Sequence, residues 1–153
     1  MSDTWSARLT ELGIELPAVA KPVAAYVPAV RTGSLVYTSG QLPFVAGELA
    51  ATGKVGGELS PEEAKRHART CALNALAAVD ALVGIDSVVR VVKVVGFVAS
   101  AEGFTGQPSV VNGASDLFGE VFGDAGQHAR SAVGVAELPL GAPVEVELIV
   151  EVA

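Results

Sequence analysis

Groups that can do chemistry are scarce in this chain. Its 153 residues include one cysteine, two histidines, one methionine, one tryptophan and two tyrosines. A single cysteine, Cys71, excludes an intramolecular disulfide, so thiol pairing says nothing about the compartment. His67 and His128 lie far apart, and with one thiol they match no zinc-site spacing, so no metal is expected. No G-x-S-x-G elbow, G-x-G-x-x-G or Walker sequence occurs, which argues against the familiar hydrolase-elbow and nucleotide-binding motifs. No basic leader precedes an apolar segment and no run of about 18 apolar residues is found, so a cytosolic location is expected, with no membrane partner. Positive charge is also short. Ten Lys and Arg face seventeen Asp and Glu, giving a net charge of −7 and a pI near 4.7. Such a surface repels polyanions at long range and weighs against a nucleic-acid partner.

Apolar residues are plentiful. They make up 50% of the chain, only 18% is charged, and the mean hydropathy is +0.48. The length suits one domain, and a domain this small cannot hide so much apolar surface alone. A homo-oligomer is therefore expected.

Residues 4–12 read as a short helix, capped by Thr4 and ended by Gly13. A linker with Pro17 and Pro22 follows over 13–23. Strands are expected over 26–30 and 35–39, joined by a turn at 31–34. Residues 42–58 are glycine-rich and read as a loop or an irregular third strand. Ser60-Pro61-Glu62-Glu63 is a capping box that starts a long helix stopped by Gly84. Its apolar stripe runs Ala64, Ala68, Cys71, Ala72, Ala75, Leu76, Val79, Leu82, and Cys71 there reads as a small buried hydrophobe. Residues 87–98 are β-branched on both faces, as in a central strand. A second long helix is expected over 108–122, with Asn112 inside it.

The stretch 127–152 organises the rest. Strands over 132–138 and 144–152 flank the turn 139–143. In the second, Val144, Val146, Leu148, Val150 and Val152 alternate with Glu145, Glu147, Ile149 and Glu151, a period of two. Arg130 stands just before the first strand and Glu145 opens the second. If these strands pair, a fixed cation and a carboxylate come close, which suits a small anion. The order of elements indicates an α+β sandwich, a mostly antiparallel sheet with two long helices on one face.

ARSAVGVAELPLGAPVEVE, 129–147, resembles the C-terminal signature of the RidA/YjgF family, also called L-PSP. AAYVPAVRTGSLVYTSGQLP, 24–43, resembles its N-terminal half-motif. Two motifs in the right order make the resemblance specific from about Tyr26 to the C-terminus. It implies one RidA-like domain over 1–153, with residues 1–25 as an added helix and linker. It also implies a chorismate-mutase-like fold and a homotrimer with clefts between subunits. The implied activity is deamination: hydrolysis of reactive 2-imino or 2-enamino acids, such as 2-aminoacrylate, to 2-oxo acids and ammonia, with no cofactor. Arg130 matches the arginine that binds the substrate carboxylate, and Glu145 the acid that holds the attacking water. Tyr26, Ser39, Gly40, Asn112 and Ala132 match positions lining the cleft. Ala132 stands where many members carry cysteine, which removes a thiol but keeps the backbone carbonyl.

Each residue also has a plainer reading. Arg130 alone could be a surface arginine, Glu145 one of several solvent-facing glutamates, and Asn112 an exposed helix asparagine. His128 could tune the pocket, but a lone histidine is more often on the surface. His67, among Lys65, Arg66 and Arg69, reads as part of a solvated face. A binding protein for small carboxylates, without turnover, is the alternative function, and an endoribonuclease the third.

Overall fold

The computed structural model describes residues 3–19 and 24–153. The end of the expected 13–23 linker lies outside the described residues. Among the described residues, seven strands and three α-helices follow in the order α1 (Trp5–Glu11), β1 (Ala29–Thr32), β2 (Leu35–Thr38), β3 (Phe44–Val45), β4 (Glu48–Leu49), α2 (Pro61–Val83), β5 (Val88–Ala99), α3 (Gln107–Phe122), β6 (Ala129–Val135) and β7 (Val144–Val152). The main sheet has the order β1-β2-β7-β5-β6. All its neighbours are antiparallel except β5 and β6. The glycine-rich stretch 42–58 contains the separate small hairpin β3–β4.

The helices form where local chemistry asks for them. Ser60 Oγ accepts from Glu63 N, and the Glu63 carboxylate accepts from Ser60 N, closing the capping box of α2. Ala64, Ala68, Cys71, Ala72, Ala75, Leu76 and Val79 are buried as the stripe predicts. Leu82, at the end of that stripe, is 45% exposed and lies outside the buried core. Small side chains let α2 and α3 approach closely. A Cβ on Gly113 of α3 would run into the Lys65 carbonyl of α2. Both helices cover one face of the sheet, over Val36, Val91, Val94, Val98 and the apolar row of β7. Fully burying a side chain such as Phe118 or Leu148 contributes about 1.5–3 kcal/mol.

Helix α1 docks at the end of this layer. Thr4 caps it, and Gly13 leaves it with φ of +69°. Trp5 Nε1 donates to the Val88 carbonyl at 2.7 Å, and its ring meets Phe122 edge-on at 5.1 Å. Ser6 donates through N and Oγ to the Asp86 carboxylate.

Three expectations are corrected here. The final two strands do not pair: β5 lies between β6 and β7 and bonds to both. The connection 136–143 is long enough to step across one strand, so a hairpin-like turn sequence serves as a crossover. Strand β6 also starts at Ala129, which puts Arg130 inside it. At the other end, the first strand begins at Ala29, so Tyr26 precedes it.

Among the described residues no helix covers the other face of the sheet. Val30, Tyr37 and Val133 on it are 43–53% exposed, and Val95, Phe97 and Ile149 are half-buried beside them.

Candidate functional site

Register decides where the motif residues go. Paired residues on neighbouring strands share a face. Val94 of β5 pairs with both Arg130 and Leu148, and Val94 and Leu148 are buried under the helices. Arg130 therefore lies on the helix face, at the sheet edge. Glu145 alternates with the buried Val144 and Val146, so it lies on the open face. One chain holds the two groups on opposite faces with a strand between them.

The seven sequence-derived residues fall accordingly into two groups. The first is built on β6 and α3. Arg130 Nη1 donates to Asn112 Oδ1 at 2.7 Å and to Ser115 Oγ at 3.3 Å. Asn112 is half-buried and so differs from the exposed helix residue of its plainer reading. Ala132 lies two residues along β6 on the same face, opposite Gly96. Among the described residues, no carboxylate lies within salt-bridge distance of Arg130. The guanidinium is half-buried, fixed on one nitrogen, and open to an anion on the others.

The second group is built on β7 and the end of β2. A Cβ on Gly40 would meet the Glu145 carboxyl carbon and Oε2 at 2.7 Å, so only glycine lets this carboxylate lie where it does. Burial first, and the like charge of Glu147 second, push the Glu145 carboxyl above its ordinary value. Ser39 was expected to offer a hydrogen bond to a ligand. Its hydroxyl instead donates to the Val27 carbonyl at 2.6 Å, and its N–H donates to the Pro28 carbonyl. It thereby holds the Tyr26–Val27 stretch against the strand end, with Tyr26 46% exposed.

Sequence reasoning passed over Ser115. It lies three residues after Asn112, hence on the same helix face, and that spacing was the available signal. His128 is half-buried, not a surface residue: Nε2 meets Ser115 Oγ at 2.8 Å, Nδ1 meets the Gly126 carbonyl at 2.6 Å, and Phe118 packs edge-on to the ring. His67 is also half-buried, and burial followed by the Arg66 charge lowers its pKa. Cys71 is fully buried, and burial, then the Glu145 charge, raise its thiol well above the usual range. It cannot supply a thiolate. Among the described residues no group of three or more His, Cys, Asp and Glu is placed to hold a metal, and no helix is long and apolar enough to cross a membrane.

A cleft of about 560 Å³ lies elsewhere, lined by α1 and residues 120–123, and contains none of the motif residues.

The sheet-and-helix layers define an α+β domain, with Arg130 fixed at one sheet edge by Asn112 and Ser115. The profile of the endoribonuclease L-PSP family matches residues 17–152, and the chain belongs to that family, the RidA/YjgF family. It is 48% identical over 148 residues to Protein TCP17 of Trypanosoma cruzi, covering 95% of this chain and 92% of that protein. It is 33% identical over 137 residues to a 2-iminobutanoate/2-iminopropanoate deaminase of Dermatophagoides farinae, covering 90% and 93%. A solved Agrobacterium tumefaciens protein of unknown function is 47% identical, with a TM-score of 0.89 over 99% of this chain and 95% of that one. TdcF of E. coli, solved with bound serine, is 26% identical, with a TM-score of 0.64 over 88% and 94%.

Proposed function

We propose that this protein hydrolyses small 2-imino and 2-enamino acids, such as 2-aminoacrylate, to 2-oxo acids and ammonia. The observation that carries this reading is Arg130: a half-buried guanidinium pinned by Asn112 and Ser115, with no carboxylate partner among the described residues. Two N–H groups of one nitrogen are engaged, which leaves the Nε–Nη2 edge to take a substrate carboxylate through two parallel bonds. The deaminase among the relatives supports the reaction, and the serine bound to TdcF supports a small carboxylate ligand.

In the proposed step, water oxygen attacks the imine carbon and gives one proton to the Glu145 carboxylate. The C=N electron pair moves to nitrogen, which takes that proton from Glu145. In the resulting carbinolamine the hydroxyl gives its proton to the Glu145 carboxylate, which passes it to the amine, so the C–N bond breaks, the carbonyl forms and ammonia leaves. A carboxyl raised above its ordinary value is better suited to hold that proton than an ordinary surface glutamate. The substrate is already activated, so positioning supplies most of the acceleration and no cofactor is called for.

The opposite-face placement sets a further condition. Arg130 of one copy and Glu145 of another must meet across a subunit contact. We propose a homotrimer whose apolar open faces are covered by neighbouring copies. The experiment is paired. Pyruvate binding is measured by calorimetry, and ammonia release from freshly generated 2-aminoacrylate by assay, for wild type, Arg130→Ala, Arg130→Lys and Glu145→Gln. Losing both charge-assisted bonds in Arg130→Ala is expected to weaken binding by about two orders of magnitude or more. Lysine should not restore the fork. Glu145→Gln should bind normally and turn over about 10²–10⁴ times more slowly. Wild-type binding without hydrolysis would favour a carboxylate-binding regulator instead, and full activity in Arg130→Ala would sink both readings.

A further inference from the structure

We infer that Ser115 and His128 are positioning residues that aim the Arg130 guanidinium at the substrate carboxylate. The inference rests on the carboxylate-binding role proposed for Arg130. Its basis is a directed chain of hydrogen bonds that, with a neutral ring, has one arrangement of protons. The Gly126 carbonyl can only accept, so the proton between it and His128 is carried by Nδ1, at 2.6 Å. In the neutral ring Nε2 is then the acceptor. It takes the Ser115 hydroxyl proton at 2.8 Å. With its proton directed at the ring, Ser115 Oγ presents lone pairs to Arg130 Nη1 at 3.3 Å. Every group has one orientation, set by the next.

The far end of the chain is anchored. Gly126 lies in the turn before β6, so close to α3 that a Cβ there would strike the Phe118 carbonyl. The Phe118 ring stands edge-on to the imidazole, at 6.0 Å and 88°. Arg130 reaches the same Ser115 hydroxyl as the ring, and Arg90 of β5 shares a cleft of about 540 Å³ with Val92, Gln127, His128 and Ala129. From α3 and the turn the ring meets Ser115, Phe118 and the Gly126 carbonyl. No acid contacts the imidazole among the described residues, so its polar contacts lead on to Arg130 and not to a competing carboxylate.

Without the imidazole the Ser115 hydroxyl loses its acceptor and turns freely, and Arg130 keeps only Asn112. The substrate carboxylate meets the arginine in ground and transition states alike, so the effect belongs in KM and not in kcat. The test is a double-mutant cycle on the full assembled protein, with pyruvate Kd by calorimetry and KM and kcat for 2-aminoacrylate. His128→Phe should raise Kd and KM about three- to tenfold, the size of one net hydrogen bond, with kcat nearly unchanged. His128→Gln offers an amide oxygen to Ser115 and should recover most of the loss. Ser115→Ala should raise Kd by at least as much, and His128→Phe should then add nothing in that background. Additive effects, a fall in kcat alone, or wild-type Kd in folded His128→Phe would overturn the inference. Nitrogen NMR of the wild-type ring gives a check that needs no variant: protonated Nδ1 and bare Nε2 are expected, and the reverse tautomer would refute the chain. Arg130→Ala run alongside separates the two levels. Unchanged pyruvate binding there overturns the carboxylate role itself, and the inference with it.

Discussion

A raised carboxyl leaves a trace in stability. The folded pKa of Glu145 lies above its unfolded one, so the folded state binds the extra proton. The cost of its charge is absent below the ordinary carboxylate range and grows as pH rises from that range through the raised value. Glu145→Gln removes the charge. Its urea midpoint should therefore exceed that of wild type at neutral pH, and the two should converge at about pH 3. A gain that persists undiminished in acid would assign the effect to something other than ionisation. Gly40 tests the same carboxylate by displacement. The atoms a Cβ would meet are the end of a flexible side chain, so Gly40→Ala should fold with little loss of stability. Turnover should fall on the order of 10²-fold, because the carboxylate is pushed aside. Both residues were legible in the family motif. The Ser115–His128 link was not, because it joins a helix to a strand start and depends on the turn at Gly126 that brings them together.

At the scale of elements, the helix pair depends on one close approach. Gly113→Ala would drive a methyl group into the Lys65 carbonyl, and backbone cannot give way as a side chain can. It should destabilise by about 1–3 kcal/mol or more, measured by denaturant unfolding. Cys71→Ala, in the same layer, should cost only about 1 kcal/mol and leave ammonia release intact. Loss of activity in that folded variant would mean the chemistry has been misplaced. The capping box of α2 and the alternation of β7 were readable because they are local: a capping box spans four residues and a strand face has period two. The place of β6 was not. Which strand lies beside which is settled by burial of the whole sheet, and a turn sequence such as Pro139–Gly141 is compatible with a hairpin or a step across β5.

For the whole molecule, opposite-face placement makes a subunit-mixing experiment decisive. Arg130→Ala and Glu145→Gln, each strongly impaired alone, should regain activity when co-assembled, because some contacts then bring an intact arginine to an intact glutamate. Random mixing in a closed ring at equal amounts restores about a quarter of the sites. No recovery from verified mixed assemblies would place the whole site within one chain. Light scattering should give a trimer mass, and a clean monomer at working concentration would remove the shared cleft. The single tryptophan adds a consequence of another kind. Trp5 belongs to α1, yet its indole is bonded to the Val88 carbonyl and stacked edge-on to Phe122. Its emission is therefore an optical report on the docking of α1, whereas circular dichroism is dominated by α2 and α3. If heating shifts the emission before the helical signal falls, α1 detaches as a unit of its own; coincident curves would make the first helix part of the same cooperative transition as the core.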